Sequence, residues 1–221
     1  MSAILFGSIS TLVDTSELQR RAFNESFAAH GLDWNWSREA YVSMLGSNGG
    51  ARRIADYAQS RGDDVDAAAI HATKSEIFRE LLETSTVQPR PGVVDTVQEA
   101  RRSERKLAFV TTTSQGNIDA LLAALRPHIS AEMFDLIVNG DSVKRPKPDA
   151  AAYTFALEQL SEDAHSAVAI EDNVGGVAAA TAAGLTCIAF PNENTAGADF
   201  SAAAETVDSL DAARVLGLTS A

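Results

Sequence analysis

Cysteine is nearly absent. Cys187 stands alone among 221 residues, which excludes an intramolecular disulfide, and its place in the apolar stretch from Leu185 to Phe190 marks a buried strand thiol rather than a reactive one. Basic charge is short as well: 18 Lys and Arg face 30 Asp and Glu, for a formal net charge of -12. Nucleic acid is thereby excluded as a partner, because neutralising phosphates requires a basic surface. The densest basic group, Arg101, Arg102, Arg105 and Lys106, reads as a solvated helix end. No apolar run approaches the length of a membrane span, and the first residues lack a basic, apolar and cleavage-site order. The expectation is a cytoplasmic protein without a membrane partner. Aromatic residues make up only 6%, so no sugar-stacking platform is evident.

What remains is ordinary for a globular chain, with 45% hydrophobic and 22% charged residues, enough for one sizeable domain or a core carrying an insertion. Ala3 to Phe6 is an apolar run short enough for a buried strand, followed by a small polar turn. Helical spacing then takes over. Leu18 with Ala22 and Phe23 with Phe27 are i,i+4 pairs; Tyr41, Met44 and Leu45, then Ile54, Tyr57 and Ala58, then Ile70, Ile77, Phe78 and Leu81 extend the pattern to about Glu83. Pro89, Pro91 and Gly92 cannot continue a helix and read as a hinge.

Beyond the hinge, strands and helices alternate: strands at 107–111, 134–139, 167–170 and 186–190, with helices between them. That alternation predicts an α/β fold, a parallel sheet with helices on both faces. The helical block interrupts it directly after the first strand. The expected division is therefore a discontinuous core, residues 1–15 and 88–221, with an inserted α-helical cap, residues 16–87.

Ligands of an open parallel sheet bind beyond the carboxyl ends of its strands, so the residues following each strand are the candidates. Thr111, Thr112, Thr113 and Ser114 form a hydroxyl run where a helix should start, either a plain helix cap or a phosphate seat. Lys147 lies between Pro146 and Pro148, either a solvated charge or a placed cation. Glu171 and Asp172 end a strand, and Asp172 or Asn173 should cap the next helix. Adjacent carboxylates are also a source of oxygen ligands for Mg²⁺.

These runs, in this order, resemble the four motifs of the haloacid dehalogenase (HAD) superfamily. The first motif is a strand, then Asp, any residue, Asp, Gly, Thr, and Leu-Val-Asp-Thr or Ser. Thr11, Leu12, Val13, Asp14 and Thr15 match it, whereas Gly7, Ile9 and Ser10 stand where the nucleophilic Asp, the acid/base Asp and the Gly would fall. Thr111 matches the second motif, Lys147 the third, and Glu171-Asp172 through Gly184 the fourth. The resemblance implies a HAD-like Rossmannoid core, phosphate binding by Thr111, Thr112 and Lys147, and a residual, weakened Mg²⁺ site at Glu171 and Asp172.

The cap resembles that of the CbbY-like sugar-bisphosphate phosphatases, relatives of β-phosphoglucomutase, through Ala22-Phe23-Asn24, Gly31 to Trp36, and Gly49-Gly50-Ala51-Arg52-Arg53-Ile54. It implies that Gln19, Gly49, Gly50 and Arg53 face the substrate. Gln19, Ala51 and Arg52 replace the usual His, Lys and Glu.

HAD phosphatases form an aspartyl phosphate, which Gly7 cannot do. Ser8 and Ser10 would give a stable ester, with no base at Ile9. The leading expectation is a phosphatase-like protein that binds a phosphorylated metabolite or a protein partner. The alternatives are a hydrolase using water activated by Glu171 or Asp172 with Lys147 as electrophile, and a structural partner of an active paralogue. Restoring aspartate at positions 7 and 9 should create phosphatase activity if the rest of the site is intact.

Overall fold

The computed structural model describes residues 2–45 and 49–219. Six strands, β1 (Ala3–Gly7), β2 (Lys106–Val110), β3 (Leu136–Val138), β4 (Ala167–Glu171), β5 (Thr186–Ala189) and β6 (Glu205–Thr206), pair in parallel in the order β3-β2-β1-β4-β5-β6. The expected parallel α/β sheet is present.

Successive strand residues point to opposite faces, and the two faces differ in size of side chain. Ile4, Phe6, Leu107, Phe109, Val168, Ile170 and Phe190 meet α6 (Val93–Arg102) and α7 (Gln115–Ala124) in one core. Ala3, Leu5, Ala108, Ala167, Ala169, Cys187 and Ala189 meet α8 (Ala151–Leu160) and α9 (Val174–Ala182) in the other. Small residues on that second face, matched by Ala179 and Ala180 of α9, let the helices lie close to the sheet. Every residue of β1 is buried, so it is the spine of both cores; each large apolar side chain so enclosed contributes roughly 1.5–3 kcal/mol.

Between β1 and α6 come α1 (Ile9–Leu12), α2 (Ser16–Ala29), α3 (Arg38–Ser43), α4 (Gly50–Arg61) and α5 (Ala67–Thr84). Phe23, Phe27, Trp34, Trp36 and Tyr41 form an aromatic core there, with Phe27 and Trp36 centroids 4.6 Å apart. Trp34 and Trp36 are thus packing residues. The far end of α5 leaves this cluster, and Phe78, Leu81 and Leu82 join the sheet core instead.

Sequence periodicity missed three small elements. The one-turn α1, the two-residue β6 and the closing helix α10 (Ala212–Gly217) are too short to show a period. Three predicted strands also overreached: Thr111 lies just past β2, Phe134, Asp135 and Asn139 lie outside β3, and Phe190 lies just past β5.

In this strand order the chain reverses direction of travel at β1 and β4, which opens a crevice at their carboxyl ends. Gly7, Thr111, Glu171 and Asp172 all sit there, with α2, α4 and α5 above.

Candidate functional site

A cavity of about 730 Å³ lies between the strand ends and the helices above them. Its floor includes Ser8, Ile9, Thr111, Thr112, Lys147 and Asp172, and its roof includes Gln19, Gly49, Gly50, Arg53, His71 and Lys74. The predicted site residues therefore converge, except Gly7 and Glu171, which lie beneath the floor.

Gly7 ends β1 in register with Val110. A Cβ there would lie 2.1 Å from Glu171 Oε1 and 2.3 Å from the Tyr153 hydroxyl. The space beside Gly7 is thus already filled by a carboxylate. Ile9 is buried and belongs to the sheet core, so its position is committed to apolar packing. Ser8 adopts a positive φ of 49°, and its Oγ accepts from the Ser10 amide, while Ser10 Oγ shares a hydrogen bond of 2.8 Å with Thr15 Oγ1.

From the floor Lys147 reaches down into a buried cluster with Glu171 and Tyr153. Lys147 Nζ donates to Glu171 Oε1 at 2.5 Å, to the Val110 carbonyl at 2.8 Å and to the Tyr153 hydroxyl at 3.3 Å, which uses all three of its protons. Tyr153 donates in turn to Glu171 Oε1 at 2.7 Å. Glu171 Oε2 is buried without a hydrogen-bond partner among the described residues. On that side stands Gly176, whose Cβ would lie 2.1 Å from the same oxygen. Burial raises the Glu171 pKa, with Asp172 adding to it and Lys147 opposing it; burial and the neighbouring Glu171 push the Tyr153 phenol well above its usual value.

Asp172 borders the cavity but is also occupied. Its Oδ1 accepts from Asn173 Nδ2 at 3.0 Å and its Oδ2 from Asn192 Nδ2 at 2.5 Å. Of the two candidate caps for α9, it is Asn173 that serves, accepting the Gly176 amide at 2.8 Å. Thr111 follows β2, its amide held by the Val138 carbonyl and its Oγ1 accepting from the Thr113 amide at 3.2 Å. Thr112 is exposed, and the run leads into the first turn of α7. Among the described residues no three His, Cys, Asp or Glu side chains gather as a metal-ligand set.

The roof is cationic. Arg53 is buried, its Nε donating to the Met44 carbonyl at 3.1 Å and its guanidinium 5.6 Å from the Tyr41 ring centre. Arg52 and Arg79 also line the cavity. Gly49 precedes α4 as its N-cap at φ 98°, and Gly50 leaves room for His71, whose Nε2 a Cβ would approach to 2.4 Å. Burial, then Lys74 and Arg53, holds the His71 pKa down to about 4. A positive cavity in a chain of net charge -12 draws anions inward.

Sequence reasoning missed Lys74, His71, Asn192 and Thr195. Lys74 was legible in principle, since it falls four residues after Ile70 and four before Phe78 on the apolar face of α5. It is 4% exposed and donates to Gln19 Oε1. Burial and Arg53 lower its pKa from 10.5 to about 7. A base depressed on folding contributes stability that is complete above about 10.5 and is lost as pH falls through about 7. Wild-type unfolding free energy should therefore rise between pH 7 and pH 9, by about 1 kcal/mol per unit, relative to Lys74→Met. Urea unfolding of both proteins at the two pH values checks this, and parallel behaviour would refute it.

Beyond β5, Pro191 to Thr195 forms a loop that ties floor to roof. Thr195 Oγ1 donates to the Asp172 carbonyl at 2.6 Å, and Asn194 Nδ2 to Glu17 Oε1 at 2.9 Å. Arg38 of α3 pairs with Glu193 at 2.8 Å and donates to Asn194 Oδ1 at 3.0 Å.

The haloacid dehalogenase-like hydrolase family matches residues 6–190. Protein CbbY of Cereibacter sphaeroides is 42% identical over 212 residues, covering 95% of this chain and 92% of that protein. The crystal structure of CbbY from Rhodobacter sphaeroides in complex with phosphate superposes with a TM-score of 0.88, over 95% of this chain and 94% of that one, at 42% identity. A mutant of the same protein in complex with xylulose-(1,5)bisphosphate gives a TM-score of 0.89 at the same identity and coverage.

Proposed function

The chain belongs to the haloacid dehalogenase-like hydrolase family, in its CbbY-like branch, and from that premise we propose that it holds a small phosphorylated metabolite without forming an aspartyl phosphate. The observation that carries this reading is the end of β1. Position 7 offers no side chain, and the Glu171 carboxylate and Tyr153 hydroxyl fill the adjoining space. Ile9 offers no proton, and Lys147 has all its protons bonded within the protein. Losing a nucleophile and an acid/base that act as one unit costs on the order of 10⁴ or more in kcat.

Phosphate binding is supported separately. The Thr111–Ser114 run opens α7, the roof is cationic, and a CbbY protein at 42% identity holds phosphate in its crystal structure. Residues 16–87 act in this reading as the cap over the ligand.

HAD enzymes generally use Mg²⁺, and the carboxylates here fit such an ion poorly. Glu171 Oε1 already binds an ammonium at 2.5 Å, its Oε2 is enclosed beside Gly176, and both Asp172 oxygens accept amide protons. A dication would have to displace Lys147 or compete with it. Weak Mg²⁺ binding follows.

The test is a panel of sugar phosphates and bisphosphates, with matching free sugars, assayed with Mg²⁺ for phosphate release and for a rise in Tm. Phosphorylated compounds at a hundredfold over Kd should raise Tm by roughly 5 to 10 °C, with no phosphate release above blank. The Thr112→Val variant, altered at an exposed seat residue, should bind less well. Sustained Mg²⁺-dependent turnover would replace this reading with that of an active phosphatase.

A further inference from the structure

Lys74 is a buried cation in the wrong company. Its nitrogen lies 4.8 Å and 4.9 Å from the ring centres of Phe23 and Phe78, and its polar partner is the neutral amide of Gln19. No carboxylate pairs with it among the described residues, and the charged group acting on it is another cation, Arg53. His71, one turn earlier on α5, is neutral above a pH of about 4. Two aromatic faces recover only about 1–2 kcal/mol each for a desolvated ammonium. Yet the side chain borders the cavity, so whatever occupies that space can reach it.

We propose that the Lys74 amine condenses reversibly with the carbonyl carbon of a phosphorylated aldehyde or ketone held in the cavity, forming an imine. The inference rests on reading the cavity as a site for a phosphorylated metabolite. The nitrogen lone pair attacks the carbonyl carbon, the π pair moves to oxygen, and a proton passes from nitrogen to that oxygen. The resulting carbinolamine breaks its C–O bond as the nitrogen lone pair forms C=N, and the remaining N–H proton joins the departing hydroxide to release water. No oxidant or reductant takes part. Burial is what makes the amine a nucleophile, since roughly half of it is neutral at pH 7, against a few in ten thousand for an ordinary lysine. Gln19 Oε1 takes one N–H and limits the rotation of the amine. The cavity cations Arg53 and Arg79 supply the attraction for the phosphate of the same ligand.

The experiment incubates the full chain with dihydroxyacetone phosphate and borohydride, then maps the adduct by peptide mass. sn-Glycerol 3-phosphate, which has the phosphate without the carbonyl, is run in parallel, and Tm is recorded for both. The expected result is one reduced adduct on Lys74, at least tenfold above Lys106, Lys144 and Lys147. Its rate should rise about tenfold from pH 6 to pH 8, following the neutral amine. Lys74→Arg and Lys74→Met should lack it. Met keeps an apolar stem between Phe23 and Phe78, and mapping the wild type requires no variant at all. If both phosphates raise Tm but no Lys74 adduct forms, or the adduct spreads evenly over the lysines, the imine is wrong and the phosphate site stands. If neither phosphate raises Tm and no adduct forms, both fall.

Discussion

Lys147→Met should lower the unfolding free energy by about 3 to 5 kcal/mol at pH 7, because it leaves a fully buried carboxylate without its cation. Glu171 is 0% exposed, and one of its oxygens already lacks a hydrogen-bond partner. The Tyr153 hydroxyl alone would then support the charge. The pH dependence identifies the cause. Glu171 already has a raised pKa, so its favourable contribution is complete below about 4.5 and is lost as pH rises through the folded value. Removing Lys147 raises that value further. The deficit of the variant should therefore be small at pH 4.5 and grow toward neutrality. Adding Glu171→Gln should recover more than half of it at pH 7, since neither charge of the pair then remains. Urea unfolding across pH 4.5 to 8 decides; a deficit below 1 kcal/mol, or one independent of pH, would mean that the pair is not what holds this cluster.

Gly7→Ala is the second large effect, expected at about 2 to 4 kcal/mol. The added methyl would sit 2.1 Å from Glu171 Oε1, well inside contact distance. A long side chain often evades such a clash, but this one is confined. Gly176 backs the carboxylate on the other side, and Lys147 and Tyr153 hold it. To move, Glu171 must break both contacts. Gly7→Asp adds a second carboxylate to a site with one ammonium and should cost at least as much. The double change Gly7→Asp with Ile9→Asp should consequently leave phosphate release at background. The sequence expectation that two aspartates would restore activity assumed an otherwise intact site, and the position of Glu171 removes that assumption. Wild-type stability in Gly7→Ala would overturn the argument.

Much of this was legible in the residues. β1 announced itself through an unbroken apolar run, and the candidate residues beyond β2 and β4 were found by the strand-end rule alone. The same rule applied to β5 would have reached Asn192 and Thr195, which complete the hydrogen bonding of Asp172. What could not be read was direction. Glu171 looked like a metal ligand facing outward, but its orientation depends on an absent side chain at Gly7 and on Tyr153 of α8, which helical spacing marked only as core. Lys74 was hidden because an apolar face invites the eye to skip its one charged member.

The loop from Pro191 to Thr195 bears on how the roof is carried rather than on what the cavity holds. It fastens Arg38 and Glu17 above the cavity to Asp172 below it through contacts that are partly exposed. Exposed lining residues such as Arg52 and Thr112 leave the cavity open to solvent, so the loop braces the roof against the floor without sealing a ligand in. Ion pairs at the surface loosen with ionic strength, whereas the buried hydrogen bonds of Asn192 and Thr195 to Asp172 are screened far less. Added salt should thus loosen the hold of α3 on this loop before the loop itself leaves Asp172.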